Sequence, residues 1–540
     1  MSKSQKNYIY HLMFPALIYS FFTGTLVGVV IVLFKYLANL AGTWSGKLYD
    51  AMRANPKVPL GTAVFLCAAA GIYLFVYRRH GNLRGGGIPT SIGILRGLIP
   101  FNWVHNAVGV FFLSLLTFFI GVPLGTEGPS VQIGTALGRG MTRIFAKKHA
   151  AWDRYIMTGG ACAGFTAATD APISGMMFAI EEAHQRISPM IILVSTVSVT
   201  ASKIACAALS PLLGVSTRLF PQMTLPVFSL SGLWLPVLIA IAVGLFSVVF
   251  LKYYIVLRHF WKRHIIRLPE YVRILGVLLL TLGFGLLSDN FLSSGHHMIG
   301  ELMEGHLVWY LLLAYIVVRS ALMIFANSAG ITGGMFLPIM ALGAMISSVI
   351  GGLLITYTPL GREYYSIIVV LGITSCIAGM MKMPLTAVVF AIEALSAHEN
   401  IIPVLLASFI SYFITEIFGM ESINDRVLGH RLADMRGDRA PTVMDLYVTV
   451  QKDTFAVGKQ IRDIFWPANT FVLSVQHAAD DNAEMDERGE KTLRAGDHLH
   501  VCYSTYNEED TRCELFAIVG EQEYTEAFRY PMHAKHTGKP

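Results

Sequence analysis

Charge is what this sequence has least of. Of its 540 residues, 14% are Asp, Glu, Lys or Arg and 54% are hydrophobic, whereas a soluble domain carries about 25% charged residues. A mean hydropathy of +0.55 accompanies that scarcity and excludes a water-soluble globular chain. Cysteine is scarce as well. The six residues, at 67, 162, 206, 376, 502 and 513, have neither metal-ligand spacing nor a disulfide pattern and read as small apolar fillers. Signatures of hydrolytic chemistry at membrane depth are missing: His398-Glu399 is followed by Asn-Ile-Ile rather than completing HExxH, and there is no GxSG and no GxGD. The chain is therefore not expected to be an enzyme. There is no Walker A pattern. "SSGHHMIGE" at 293–301 offers His296 and His297, but the stretch reads as a surface loop, and no metal site is expected.

In place of charge there are apolar runs of membrane-helix length, at 11–34, 60–77, 107–124, 189–212, 230–251, 274–288, 307–325 and 340–358. Gly, Pro and polar residues interrupt several of them, so many helices should be broken, tilted or shorter than a full span. "MSKSQK" precedes a run too long for a cleavable leader, and the first segment is expected to stay. The few charges divide unevenly. Residues 436–540 carry 18 acidic and 12 basic residues, a net of −6, and residues 1–435 carry 17 and 29, a net of +12. The expected organisation is a membrane domain over 1–435, a linker over 436–445 around "ADMRGDRAPT", a small soluble module over 446–525 and a disordered end over 526–540. The basic excess, at "RRH" (78–80), "KKH" (147–149) and Lys252–Arg273, marks cytoplasmic loops rather than nucleic-acid binding. The expected setting is the inner membrane, with the C-terminal module in the cytoplasm.

The membrane part repeats itself. "DAPISGMMFAIEEA" (170–183) matches "KMPLTAVVFAIEAL" (382–395), with Pro172 on Pro384 and Phe178-Ala179-Ile180-Glu181 on Phe390-Ala391-Ile392-Glu393. A second pair, "GTEGPSVQIGTALG" from 125 and "GGMFLPIMALGAMI" from 333, keeps the order at nearly the same offset. Two related halves are expected, and such halves place an ion or substrate site where broken helices meet.

Three Gly-rich turns each open a helix: "GGGIPTSIG" (85–93), "GTEGPSVQIG" (125–134) and "GGMFLPIMALG" (333–343). Proline in a first helical turn has no N–H to satisfy and a φ already suited to the helix. Glycine lets the backbone turn sharply and come close to a ligand. The free N–H groups at a helix start, with the positive dipole end, bind anions. Three converging starts would hold an anion by partial charges alone and would still release it. From Phe101 to Gly138 the only charged residue is Glu127, inside the second turn. Burying a lone charge in a membrane is costly, so function is the default reading. Its carboxylate can occupy an anion position and, once protonated, swing away, which links anion and proton movement.

"GGGIP", "GTEGP" and "GGMFLP", in that order and spacing, resemble the three signature motifs of the CLC chloride channels and transporters, across about 20–433. The resemblance implies an all-α polytopic membrane protein with a CLC-type inverted repeat of broken and tilted helices, to which the strand and helix pattern of the tail adds a small cytoplasmic α/β domain. It implies a homodimer with one pathway per subunit, chloride and protons as transported partners, and no cofactor. It makes Glu127 the gating glutamate. It puts Gly86, Gly87 and Ile88 at the anion site, with backbone amides of Met335 and Phe336 around its centre and those of Glu127, Gly128 and Leu337 at its outer part. In many family exchangers a second glutamate hands protons inward. The matching position is Glu182, with Glu181 beside it. Adjacent carboxylates ending an apolar helix can also relay a proton on physical grounds, or can simply face water. Glu393 is expected to be structural.

Two departures bear on mechanism. Gly86 stands where the family's first motif has Ser, and Asn424, in "GMESINDRVLGH", stands where a Tyr hydroxyl reaches the central anion. A hydrogen bond to a charged partner is worth about 1.5–3 kcal/mol, so losing both hydroxyls should weaken the central site and loosen coupling. Thr126 replaces the usual Arg, which removes an ion pair. The expected function is exchange of chloride, or a similar monovalent anion, for protons with loose coupling; the alternative is a passive CLC-type anion channel. In the tail, "TFVLSVQ" (470–476) and "DHLHVCY" (497–503) alternate like strands, "RAGD" reads as a turn, and "VGKQIRDIFWP" (457–467) reads as a short helix. "VGKQIRDI" and "LRAGDHLHV" resemble the TrkA C-terminal regulatory domain, which implies regulation or dimerisation.

Overall fold

The computed structural model describes residues 14–524 except 56, 86, 146–151, 222–223, 229–231, 306–307, 438, 478–483 and 486–488. The chain runs through α1 (Phe14–Ala54), α2 (Val58–Arg79), α3 (Ile88–Leu95), α4 (Trp103–Ile120), α5 (Glu127–Phe145), α6 (Asp153–Thr169) and α7 (Pro172–Phe178). A π-helical turn, Ala179–Ala183, extends α7. There follow α8 (Pro189–Leu213), α9 (Trp234–Phe260), α10 (Glu270–Leu287), α11 (His296–Glu304), α12 (Trp309–Ala329), α13 (Phe336–Tyr357), α14 (Tyr365–Met381), α15 (Pro384–Ala394), α16 (Ile401–Ile417) and α17 (Ile423–Arg436). Among the described residues, nine helical spans are long and apolar enough to cross a membrane: α1, α2, α4, α8, α9 with the turn that continues it to Ile265, α10, α12, α13, and α14 with the 3-10 turn Arg362–Tyr364 that precedes it. At 1.5 Å per residue the 41-residue α1 is roughly 60 Å long, twice a bilayer core, so it tilts or projects beyond it.

Helix boundaries follow local chemistry. Asn102 caps α4, its side chain accepting from the amides of Val104 at 3.0 Å and His105 at 3.3 Å. Proline lies in the first turn of α3, α7, α8 and α15. Two repeat-related interruptions start alike: α4 stops at Gly121 (φ 84°) and α12 at Gly330 (φ 83°), left-handed positions that suit glycine.

The helices form an outer and an inner set. Outer helices expose large apolar side chains, such as Leu60, Val64 and Phe112, to what is then lipid. The inner set is small-residue helix packed on all sides. In α6 every residue but Arg154 is buried, and α5 meets it through glycines: a Cβ on Gly134 would lie 2.1 Å from the Gly160 carbonyl oxygen, and one on Gly164 2.2 Å from that of Ser130. Backbones this close are the membrane substitute for a hydrophobic driving force.

Beyond α17 lies an antiparallel sheet of β1 (Thr442–Thr449), β2 (Thr470–Gln476), β3 (Glu484–Met485) and β4 (His498–Thr505), ordered β1-β4-β2-β3. Leu446 opposes Val501 and Val448 opposes Leu499. With Val475 and with Leu515, Ile518 and Val519 of α18 (Glu508–Val519), they form a separate core.

Three expectations for this region change. β1 starts inside the stretch read as linker (436–445). The segment 457–467 is not an α-helix but turns around a single 3-10 turn, Ile461–Asp463. Gly458 has φ 80°, and the backbone there bonds sideways to 489–493: Gly458 N–H to Leu493 O at 2.8 Å, Leu493 N–H to Lys459 O at 2.9 Å and Arg462 N–H to Gly489 O at 2.9 Å. Those partners replace the i→i−4 ladder. Third, the module holds one more helix than expected, α18, with Glu508, Glu509 and Asp510 in its first turn and Gly520 after its end as ordinary helix punctuation. The expected disordered end, 526–540, lies outside the described residues.

The sheet unit is joined to the helices by more than the chain. Phe465 packs its ring 4.3 Å from Tyr155 and 4.5 Å from His184, with the Arg186 guanidinium 4.2 Å over it. The Tyr155 hydroxyl donates to the Asp463 carbonyl, and Arg154 pairs with Glu514 at 2.6 Å.

Candidate functional site

The three Gly-rich turns meet at one point. Four residues after its left-handed glycine, each of the two repeat-related turns extends one backbone group to the other: Gly125 N–H donates to Gly334 O at 2.7 Å, and Gly334 N–H to Gly125 O at 2.9 Å. A Cβ on Gly128 would lie 2.7 Å from Gly334 Cα and 3.0 Å from Gly87 Cα. No side chain fits there, and Gly87 itself has φ 107°. The first turn is tied in by Gly85 N–H to Gly330 O at 2.7 Å, and by Tyr77, whose hydroxyl contacts Gly330 O at 2.5 Å and Thr332 Oγ1 at 3.0 Å.

The starts of α3, α5 and α13 therefore converge, and their first-turn amides lack partners within their own helices. One donor is engaged: Gly87 N–H is bonded by Gln132 Oε1 at 2.6 Å, and Gln132 Nε2 in turn reaches Asn106 Oδ1 at 3.0 Å. Gly87 thus shapes the turn while its amide points to Gln132. Ile88, Gly128, Met335, Phe336 and Leu337 are buried around the meeting point. Gly86 lies outside the described residues. Aromatic rings close the space behind: Phe336 sits 5.2 Å from Phe165 and 5.6 Å from Phe390, and Phe165 stacks on Phe178 at 5.7 Å. Phe178 and Phe390 are the repeat-related phenylalanines.

Glu127, in the first turn of α5, is fully buried. Its Oε1 accepts from Thr126 Oγ1 at 3.1 Å, and its Oε2 has no hydrogen-bond partner among the described residues. A Cβ on Gly125 would lie 2.5 Å from that Oε2 and 3.1 Å from Leu337 Cβ, which puts the carboxyl at the opening of α13. Lys35 of α1 is within electrostatic reach of it and is held by the carbonyls of Thr217 at 3.1 Å and Ala167 at 3.5 Å. Lys35 was not singled out from sequence, yet a lone cation in an apolar helix is the same signal that marked Glu127.

The adjacent glutamates Glu181 and Glu182 part company. The wide π turn aims them apart. Glu181 caps α15, accepting from Leu385 N–H at 2.8 Å and from Thr386 N–H and Oγ1 at 2.6 Å each. Glu393 does the same for α7, accepting from Ile173 and Ser174 N–H at 2.9 Å and Ser174 Oγ at 2.8 Å. Each half thus caps a helix of the other. Glu182 instead is buried, with Ser422 Oγ donating to Oε1 at 3.2 Å. Arg96 holds its backbone, donating to the carbonyls of Glu182 at 2.8 Å and Ala183 at 3.0 Å while pairing with Asp425 at 2.8 Å. Ser422 also caps α17, accepting from Asn424 N–H at 3.2 Å. Asn424 is buried, and its side chain lies within reach of the Glu182 carboxyl. One serine therefore touches both the Glu182 carboxyl and the Asn424 backbone. Arg96, Gln132 and Ser422 were missed from sequence because their roles depend on partners 26 to 329 residues away.

Chemically, the centre offers oriented amides without a full positive charge, one buried carboxyl at its edge, and a second buried carboxyl linked through Ser422 to the Asn424 helix start. That set can hold a small anion and pass a proton.

The sequence profile of a family described as voltage gated chloride channel matches residues 64–416. Among solved structures, a slow cyanobacterial Cl−/H+ antiporter aligns with TM-score 0.69 and 21% identity over 78% of this chain and 99% of its own. A CLC-type fluoride/proton antiporter aligns with TM-score 0.60 and 18% identity over 76% and 97%. A eukaryotic CLC transporter aligns with TM-score 0.61 and 18% identity over 83% and 79%.

The reciprocal caps make a prediction. Glu393→Ala should cost about 1–3 kcal/mol of stability, because it strands the amides of Ile173 and Ser174, and Glu181→Ala should cost a similar amount. Thermal unfolding in detergent measures it. Glu181→Gln should keep most of the stability, since its amide oxygen still accepts from the α15 amides; a loss as large as that of Glu181→Ala would show that the carboxylate charge is what caps the helix.

Proposed function

The chain belongs to the voltage gated chloride channel family, and from that footing we propose that it is a secondary transporter exchanging chloride, or a similar monovalent anion, for protons. The observation that carries this reading is the pair of buried carboxyls, Glu127 at the meeting of three helix starts and Glu182 beside Ser422. A passive channel needs the first alone. In this reading backbone amides of Met335, Phe336, Leu337, Glu127 and Gly128 bind the anion, and Ile88 and Asn424 complete the wall. Partial charges of about half an elementary charge per helix start attract an anion without trapping it. Glu127 competes with the anion when charged and carries a proton when neutral. Glu182 exchanges protons with the cytoplasm, and Ser422 and Asn424 lie between it and the anion. Glu181 acts as a cap.

Loose coupling is part of the proposal. Asn424 offers a shorter donor than a phenol and leaves the inner side of the anion site less obstructed. The protein works in the inner membrane as a homodimer with one pathway per subunit, and residues 446–525 form a cytoplasmic regulatory domain. Exposed apolar side chains on α7, α15 and α16, among them Ile173, Leu385, Ile402 and Phe413, are consistent with a subunit contact as well as with lipid.

Reconstitution in liposomes with simultaneous anion and proton recording tests the exchange. Wild-type protein should move protons uphill on a chloride gradient, and its anion flux should rise on acidification because protonation removes the competing carboxylate. Glu127→Gln should abolish proton movement while anion flux persists; unchanged coupling would sink the assignment.

Glu182→Val should likewise stop proton transfer, here with anion binding intact. Proton flux that survives in this variant would put the inner relay on another group.

For Asn424 the expectation runs the other way. Asn424→Tyr, and more so Gly86→Ser with Asn424→Tyr, should tighten central anion binding by about 1–2 kcal/mol, or roughly 5–30-fold, and raise the protons moved per anion. Calorimetry and paired flux ratios decide; equal values in wild type and double variant would show that the amides carry the site alone.

A further inference from the structure

Between the sheet unit and the helical part lies a cavity of about 500 Å³ that the transport reading does not use. That volume is in the range of small-molecule sites. Its walls come from both sides of the seam: the α3–α4 loop and the ends of α5, α6 and α17 on one, and Phe465, the end of β4 and α18 on the other.

Four guanidinium groups line it, those of Arg139, Arg143, Arg154 and Arg436. They are unevenly neutralised. Arg154 is matched by Glu514 at 2.6 Å. Arg139 and Arg143 share the single carboxylate of Asp153, at 3.9 and 3.3 Å, and Arg139 also lies 4.7 Å over the Phe101 ring and donates to the Phe101 carbonyl at 3.4 Å. Arg436 lies 4.4 Å over the Tyr506 ring and has no carboxylate within salt-bridge distance among the described residues. The remaining lining acid, Asp510, is bonded by Asn507 Nδ2 at 2.7 Å. Four arginines and three carboxylates thus line one cavity, an excess of one positive charge, and Arg436 faces it with no acid paired to it among the described residues. Planar guanidinium groups bind phosphate through paired N–H donors.

We propose that this seam is a binding site for a phosphate-bearing anion, neutralising Arg139, Arg143 and Arg436 together. The phosphate can come from a soluble compound or from a lipid headgroup, since Ile144 and Phe145, which follow Arg143 in the chain, are exposed apolar residues suited to lipid. Because the walls belong to both parts of the chain, the ligand braces the sheet unit against α6. The same unit rests Phe465 on His184, two residues past Glu182. Any effect of occupancy on transport rests on the exchange reading above; the binding itself does not.

Full-length protein in nanodiscs of neutral phosphatidylcholine, titrated calorimetrically with sodium tripolyphosphate, tests the soluble source. We expect one saturable site per chain, weakened at least 10-fold in Arg143→Ser with Arg436→Ser. Both side chains are partly solvent-exposed, and Arg436→Lys alone serves as a milder variant that keeps the charge. Nanodiscs containing phosphatidylglycerol test the headgroup source: the wild type should then melt higher than in neutral discs, and the double variant should not. Either result supports the site and names its source. No tripolyphosphate binding together with no lipid-dependent stabilisation overturns it, as does binding of equal strength in the double variant.

Discussion

Two backbone hydrogen bonds, between Gly125 and Gly334, hold the arrangement on which the rest depends. They join turns from the two halves, and they fix where α5 and α13 begin. Inside a bilayer an unpaired amide costs several kcal/mol, so irregular backbone survives only where it is paired or faces a polar cavity. Here the pairing stops short of the helix starts. Amides just beyond the bridge stay unpartnered by their own helices and face the centre. The site's polarity thus follows from breaking the helices there, and no buried Lys or Arg has to be placed at the centre.

Around that bridge the halves support each other in kind. Glu181 and Glu393 exchange caps, and Phe178 and Phe390 enclose the centre through Phe165 and Phe336. The exchange also explains a doublet that looks redundant in sequence. A π turn widens the helix enough for Glu181 to reach α15 while Glu182 turns inward to Ser422. Two neighbouring residues with the same chemistry therefore live in separate environments, one among backbone amides and the other buried beside a hydroxyl.

Much of this was legible because it is local. The membrane character, the repeat and the three Gly-rich helix starts rest on composition and short spacing, and all reappear in the structure. Glu127 stood out because it was alone. What stayed hidden depends on distant partners. Nothing near Arg96 announces that it holds the backbone of Glu182, and Gln132 looks like any polar residue in a helix until Gly87 is brought beside it. The tail failed for a different reason. "VGKQIRDIFWP" has helical spacing, but its backbone finds partners at 489–493, and tertiary pairing overrides so short a local preference.

The Gly125–Gly334 bridge also bears on how the chain is made. Its two ends are 209 residues apart. At a synthesis rate of about 5–20 residues per second, the first turn emerges on the order of 10–40 s before the second. Through that interval the Gly125 amide and carbonyl have no native partner, and α7 waits for Glu393. The first half therefore enters the bilayer with its centre open, and needs water, the insertion machinery or a provisional pairing until the second half arrives. Biogenesis of this chain is a rendezvous of two halves, neither of which can complete its own interior.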